Sequence, residues 1–120
     1  MTIFVIPNAV KKIRIAISHQ GGELAGSQNV YGEHQLALDV QANNIILEEL
    51  KNSGLVKQAA SEELEKIVPL QAAPYKLPPP FTVVFDPLDG SSLVDVNFAV
   101  GSIFGVYPAG ELIGRTGDEQ

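Results

Sequence analysis

Cysteine and tryptophan are absent from this 120-residue chain. Without cysteine there is no disulfide, no thiol nucleophile and no cysteine-ligated zinc; the absence is compatible with a cytosolic setting. Basic residues are scarce. Eight Lys and Arg against 14 Asp and Glu leave a formal net charge of −6, with a pI of about 4.7, which argues against bulk attraction to nucleic acid. Long apolar runs are missing too, since none approaches the ~20 residues of a membrane span. The stretch from Met1 to Pro7 is too short for a secretory signal and lacks a basic start. What remains suffices for one small domain with a modest core.

The pattern along the chain reads as α/β. Asn8 is placed to cap a helix through Ile17, with Val10, Ile13 and Ile17 on one face. Residues 19 to 32 hold four glycines with Ser27, Gln28 and Asn29, and read as a mobile surface loop that includes His19. A second helix is predicted from about Gln35 to Asn52, with Leu38, Ile45, Ile46 and Leu50 on its apolar side and Gly54 as its stop. Val56 to Ala60 is a short strand candidate. Five prolines between 69 and 80 predict a loop of polyproline character. The run Phe81-Thr82-Val83-Val84-Phe85 reads as a buried strand. Val96 to Val106 is a further strand candidate, followed by a turn from Tyr107 to Gly110. The chain stops at Gly117-Asp118-Glu119-Gln120 directly after strand-like material, so a truncated domain is expected.

The most informative stretch follows the third apolar run: Asp86-Pro87-Leu88-Asp89-Gly90-Ser91-Ser92. Asp-Pro-x-Asp-Gly also makes a plain turn; the preceding strand and the two serines favour a site, because motifs gain weight from context. Two aspartates at a strand end can hold a hard divalent cation. The Gly-Ser-Ser turn offers free backbone N–H groups for a phosphate. Glu62 and Glu63 follow the strand candidate at 56–60. By themselves they read as a solvated charge run. If the two strands are neighbours, four carboxylates meet at one edge and repel each other unless cations fill the gap.

These residues resemble those of class I fructose-1,6-bisphosphatase and its relative sedoheptulose-1,7-bisphosphatase. The resemblance is carried by Ser61-Glu62-Glu63 with Phe85-Asp86-Pro87-Leu88-Asp89-Gly90-Ser91-Ser92, by Gly26-Ser27-Gln28-Asn29-Val30, and by Leu38-Asp39. The heptapeptide alone marks the wider class of lithium-sensitive phosphatases, inositol monophosphatases among them. The continuation from Val94 to Pro108 narrows it to the sugar bisphosphatases, and the tail from Gly110 to Gly117 looks more like the sedoheptulose branch. The resemblance implies an α/β fold of the sugar-phosphatase type, layered α/β/α/β, of which residues 1–120 are the N-terminal, metal-binding part. It implies hydrolysis of a ketose 1-phosphate in carbohydrate metabolism, in gluconeogenesis or the Calvin cycle, with Mg²⁺ or Mn²⁺. It further implies a homo-oligomer in the full-length form, no nucleic acid or membrane partner, and a cytoplasmic or chloroplast location.

By the same resemblance, Glu62, Glu63, Asp86, Asp89 and the Leu88 carbonyl match metal ligands. Gly90, Ser91 and Ser92 match the phosphate-holding turn. Asp39 matches an acidic residue of the network that activates the attacking water; taken alone it reads as an exposed residue near a helix start. Glu63 matches this network as well as the metal site. Asn29 lies in the matching loop, and Glu33 stands where the family usually has an aspartate of that network. His19 and His34 match no role and read as solvated. Pro80-Phe81 replaces the Lys-Tyr pair through which the fructose enzymes partly sense AMP, so AMP inhibition is not implied. The family's later half supplies most sugar-binding residues and a further metal carboxylate, which leaves this chain alone without expected activity. An inositol-type monophosphatase and a non-catalytic metal-binding or interaction fragment are the competing readings.

Overall fold

The computed structural model describes residues 2–20, 28–70, 79, 81–92 and 99–110. Among the described residues two helices, α1 (Thr2–Gln20) and α2 (Gln28–Ser53), precede four strands: β1 (Val56–Ser61), β2 (Val68–Pro69), β3 (Phe81–Asp89) and β4 (Gly101–Pro108). The strands form one sheet in the order β2-β1-β3-β4. β1 runs parallel to β3, while β2 and β4 flank them antiparallel. The expected arrangement of two helices packed on part of a sheet is present.

Each helix buries a stripe at four-residue spacing, which keeps side chains on one face. In α1 the stripe is Val5, Ala9, Ile13 and Ile17. In α2 it is Leu38, Ala42, Ile46 and Leu50. Val10, expected on the inner face of α1, lies 40 % exposed on the flank of that stripe. A Lys12–Glu49 ion pair bridges the two helices at the surface. Strand residues Ala59, Val83 and Phe85 meet the helices from the sheet side. Phe85 pairs with Phe104 across β3 and β4, their ring centres 6.1 Å apart.

Several boundaries differ from the sequence expectation. α1 begins at Thr2, so Asn8 is an interior residue and no cap, and Pro7 sits inside the helix. Proline removes the N–H that would reach back to Ile3 and crowds that carbonyl with its ring, and the packing of Val5 on the core helps to offset the cost. His19 and residues 28–32 are helical where a loop was expected; 21–27 lie outside the described residues. α2 therefore starts at Gln28, not Gln35. Its end is as read. Gly54 takes a left-handed φ of 67°, donates its N–H to the Lys51 carbonyl at 3.2 Å, and so closes the helix. Tyr107 and Pro108 belong to β4 instead of a turn, and 96–98 lie outside the described residues.

The largest correction concerns the aspartate motif. Asp86 to Asp89 continues β3 as strand, where a turn was one of the readings. Proline in an inner strand needs a position that lacks a ladder donor. The register supplies one: Asp86 pairs with Ile103 and Asp89 with Gly101, so Pro87 and Leu88 oppose the single residue Ser102. That is a bulge, which absorbs Pro87 and bends the strand end. Two side chains hold it. Ser102 Oγ donates to the Pro87 carbonyl at 2.8 Å, and the Leu88 N–H donates to Asp86 Oδ1 at 3.2 Å.

Candidate metal and phosphate site

Ligands of open α/β sheets collect beyond the carboxyl ends of parallel strands. Here those ends belong to β1 and β3, and they carry the acidic residues picked out in the sequence. Ser61 pairs with Phe85, and the Glu62 N–H extends the ladder by one step to the Phe85 carbonyl at 3.0 Å. This sets Glu62 beside Asp86. Glu63 follows in a turn closed by the Leu64 N–H on the Ser61 carbonyl at 3.1 Å.

Asp39 arrives from α2. It was read from sequence as an exposed residue apart from its family role; it lies only 6 % exposed in mid-helix. The Ser91 hydroxyl donates to it, yet its Oδ1 has no hydrogen-bond partner. Gly90, at a φ of 80°, turns the chain out of β3, and a 3₁₀ turn at Ser91–Ser92 follows. A left-handed φ there suits glycine because it has no Cβ. Ser91 thus comes to Asp39, while Ser92 is exposed.

The carboxylates hold one another's protons. Burial raises the pKa of Asp39, helped by the charges of Asp86 and Glu62, while the Ser91 hydroxyl opposes the shift. Glu63 is pushed up to about 6, first by lost hydration around its carboxyl, then by Asp39 and by contact with Glu62. Asp86 is raised by burial, by Glu62 and by Asp89, against the Leu88 N–H. Neutralisation by protons is the substitute for neutralisation by cations. Among the described residues no three of these side chains converge on one point as a ready cage. The donor set, all hard oxygen, with a buried unpartnered Asp39 Oδ1, nonetheless fits a hard divalent cation.

On the face of the sheet away from the helices, an open cleft of about 540 Å³ begins at Glu62 and Asp86 and runs along Ala60, Val84, Ile103 and Tyr107. Gly105 forms its floor. A Cβ there would come within 2.9 Å of the Val84 and Tyr107 side chains, so a larger residue would have to push them aside.

This geometry coincides with a family match. The model of the fructose-1-6-bisphosphatase N-terminal domain fits residues 2–120. The chain belongs to the fructose-1,6-bisphosphatase family. Within that family it is 47 % identical over 108 residues to a class 1 fructose-1,6-bisphosphatase of Pelobacter propionicus, covering 90 % of this chain and 32 % of the relative. It is 49 % identical over 92 residues to the chloroplastic sedoheptulose-1,7-bisphosphatase of Spinacia oleracea, covering 77 % and 23 %. The fold superposes on the holo crystal structure of Leishmania major fructose-1,6-bisphosphatase with a TM-score of 0.72 and 32 % identity, over 95 % of this chain and 33 % of that one. The chain thus spans about a third or less of these bisphosphatases.

Of the site residues named from sequence, the structure gathers Asp39, Glu62, Glu63, Asp86, Asp89, Leu88, Gly90 and Ser91 around the ends of β1 and β3. Asn29 and Glu33 lie on the first turns of α2, where the backbone alone is described. At 1.5 Å rise per residue, Glu33 is about 9 Å and Asn29 about 15 Å along the axis from Asp39. His34 shares those turns, and His19 ends α1 exposed. Two polar residues had no role assigned from sequence: Asn43, which was not singled out, and Ser61, quoted only as part of the Ser61-Glu62-Glu63 string; both are buried and bonded to each other at 2.6 Å. The available signal was the four-residue step from Asp39 to Asn43, which repeats a polar position one turn along a buried face.

Among the described residues no helix is long and apolar enough to cross a membrane.

Proposed function

We propose that this chain is the metal-binding part of a phosphoric monoester hydrolase that removes the 1-phosphate of fructose 1,6-bisphosphate, sedoheptulose 1,7-bisphosphate or both. The observation that supports this most is the meeting of Asp39, Glu62, Glu63, Asp86 and Asp89 at the carboxyl ends of two parallel strands, in a chain of the bisphosphatase family. Glu62, Glu63, Asp86, Asp89 and the Leu88 carbonyl would hold Mg²⁺ or Mn²⁺. Bound there, the metal supplies charge for the phosphate and lowers the pKa of a water.

The chain's own groups do the rest. Asp39, held above an ordinary aspartate by burial, is placed to take a proton from an attacking water, with Glu63 facing it across the cluster. Ser91 orients the Asp39 carboxyl through its hydroxyl. Backbone N–H groups of Gly90 and Ser91, with Ser92 beside them, would meet the developing charge on the phosphate. Family position assigns Asn29 to the loop beside the site and Glu33 to the network that activates the attacking water. The place of such a protein is carbohydrate metabolism, gluconeogenesis or the Calvin cycle, in the cytoplasm or the chloroplast, as a homo-oligomer in its full-length form.

The test is turnover by the full-length protein on both bisphosphates and on inositol monophosphate, with Mg²⁺ present. Release of phosphate from either ketose bisphosphate, abolished by Asp86→Asn, is the expected result. Turnover of inositol monophosphate alone would shift the assignment to the other branch of the phosphatases.

A further inference from the structure

We infer that Asn43 and Ser61 are positioning residues that clamp the Glu62–Glu63 turn to α2 and so set where Glu63 stands relative to Asp39. The inference rests on the metal-site reading above. Ser61 Oγ donates to Asn43 Oδ1 at 2.6 Å, and the same oxygen accepts from the Glu63 N–H at 3.2 Å. The bonds therefore run in one direction, from the Glu63 backbone through the serine hydroxyl to the asparagine carbonyl. Only a hydroxyl serves in the middle, because it must donate once and accept once.

Both side chains are shut off from water, Asn43 at 5 % and Ser61 at 7 % exposure. A buried hydroxyl–amide pair has no solvent to replace a lost partner, so its geometry is held tightly. Asn43 lies one helical turn beyond Asp39 on the same side of α2. The clamp consequently ties Glu63 and Asp39 to one rigid element through a short path. Ser61 contributes twice, since its carbonyl also accepts from Leu64 at 3.1 Å and closes the turn. Neither residue carries charge and neither is placed to ligate a metal; their effect passes through Glu63.

The experiment measures Mg²⁺ and Mn²⁺ binding by calorimetry on the chain and on Ser61→Ala, Asn43→Leu and Ser61→Thr. Asp86→Asn serves as the loss control and Ile46→Val as a core variant that lowers stability only. Partners that orient metal ligands typically change affinity 10–100-fold when removed. The expected result is a loss in that range for Ser61→Ala and Asn43→Leu per folded molecule, with Ser61→Thr returning to the wild-type value and Ile46→Val unchanged. If Asn43→Leu does not fold, Ser61→Ala, which removes one oxygen, carries the test. Wild-type affinity in Ser61→Ala overturns the inference and leaves the metal reading standing. Absence of divalent binding by the wild type, with the fold intact, overturns the metal reading and this inference together.

Discussion

Asp39→Asn should stabilise the metal-free protein. Asp39 is buried in α2 with one oxygen unpartnered, and the charges of Asp86 and Glu62 stand against it. Asparagine keeps the shape, removes the charge and offers an N–H₂ that the neighbouring carboxylates accept. A buried polar group without a partner costs about 1–3 kcal/mol, so a gain on the order of 1–2 kcal/mol is expected, which is ~3–8 °C in Tm for a domain of this size. The gain depends on pH. The folded-state pKa of Asp39 is raised from 3.8, so the folded protein holds its proton longer than the unfolded chain does. Wild-type stability accordingly falls as pH rises from about 4 through the folded value. Glu63 adds to the same trend between 4.5 and about 6. The advantage of Asn is therefore small at pH 4 and larger at pH 7. Mg²⁺ should reverse the order, raising Tm of the wild type more than that of the variant. Thermal melts with chelator and with excess Mg²⁺, at pH 4 and 7, check all three statements. A variant less stable than wild type at pH 7 without metal would refute the reasoning, since the cluster would then not be repulsive.

Three further outcomes follow from packing and turn geometry. Ile46→Ala, at a fully buried position (0 % exposed), should cost about 2–5 kcal/mol by cavity formation, read by urea unfolding. Gly90→Ala should cost about 1–2 kcal/mol, because its φ of 80° strains any residue with a Cβ although the space is open, the nearest atom being 3.6 Å away; phosphate release by the full-length protein should fall with it. Residues 1–120 purified alone with saturating Mg²⁺ and either bisphosphate should show no turnover approaching the ~10 s⁻¹ of a typical enzyme, because misplacement of reacting groups by ~1 Å already costs ~100-fold.

The sheet and the acidic site were legible for a simple reason. The β-branched and aromatic run at 81–85 has strand character and leads directly into Asp86, while 56–60, with Val56 as its one β-branched residue, is marked mainly by the acidic pair that follows it. The parallel pairing of β1 and β3 then brings Glu62 to Asp86. Local signals failed where tertiary packing overrode them. Thr2 to Ile6 is β-branched apart from Phe4 and precedes a proline, yet it is helix because Val5 completes the stripe with Ala9 and Ile13. Pro87 reads as a turn residue but is accommodated by a bulge that only the partner strand β4 defines. Asp39 and Asn43 look like solvated helix positions, and nothing in one dimension shows that Ser91 and Ser61 will cover them. The short β2 has no signal of its own; it exists because Gln58 and Ala59 offer an edge to Val68 and Pro69.

The central claim is that the carboxylates at the ends of β1 and β3 form a divalent-metal site. Adding substoichiometric Mn²⁺ to the ¹⁵N-labelled chain and recording amide spectra tests it most directly, because the paramagnetic ion broadens only nearby signals. Selective loss of the amides of residues 61–63, 86, 88–91 and 39, reversed by excess Mg²⁺ and absent in Asp86→Asn, is the expected result. Broadening that spreads evenly over the surface acids, with Glu48 affected as strongly as Glu62, would contradict the account.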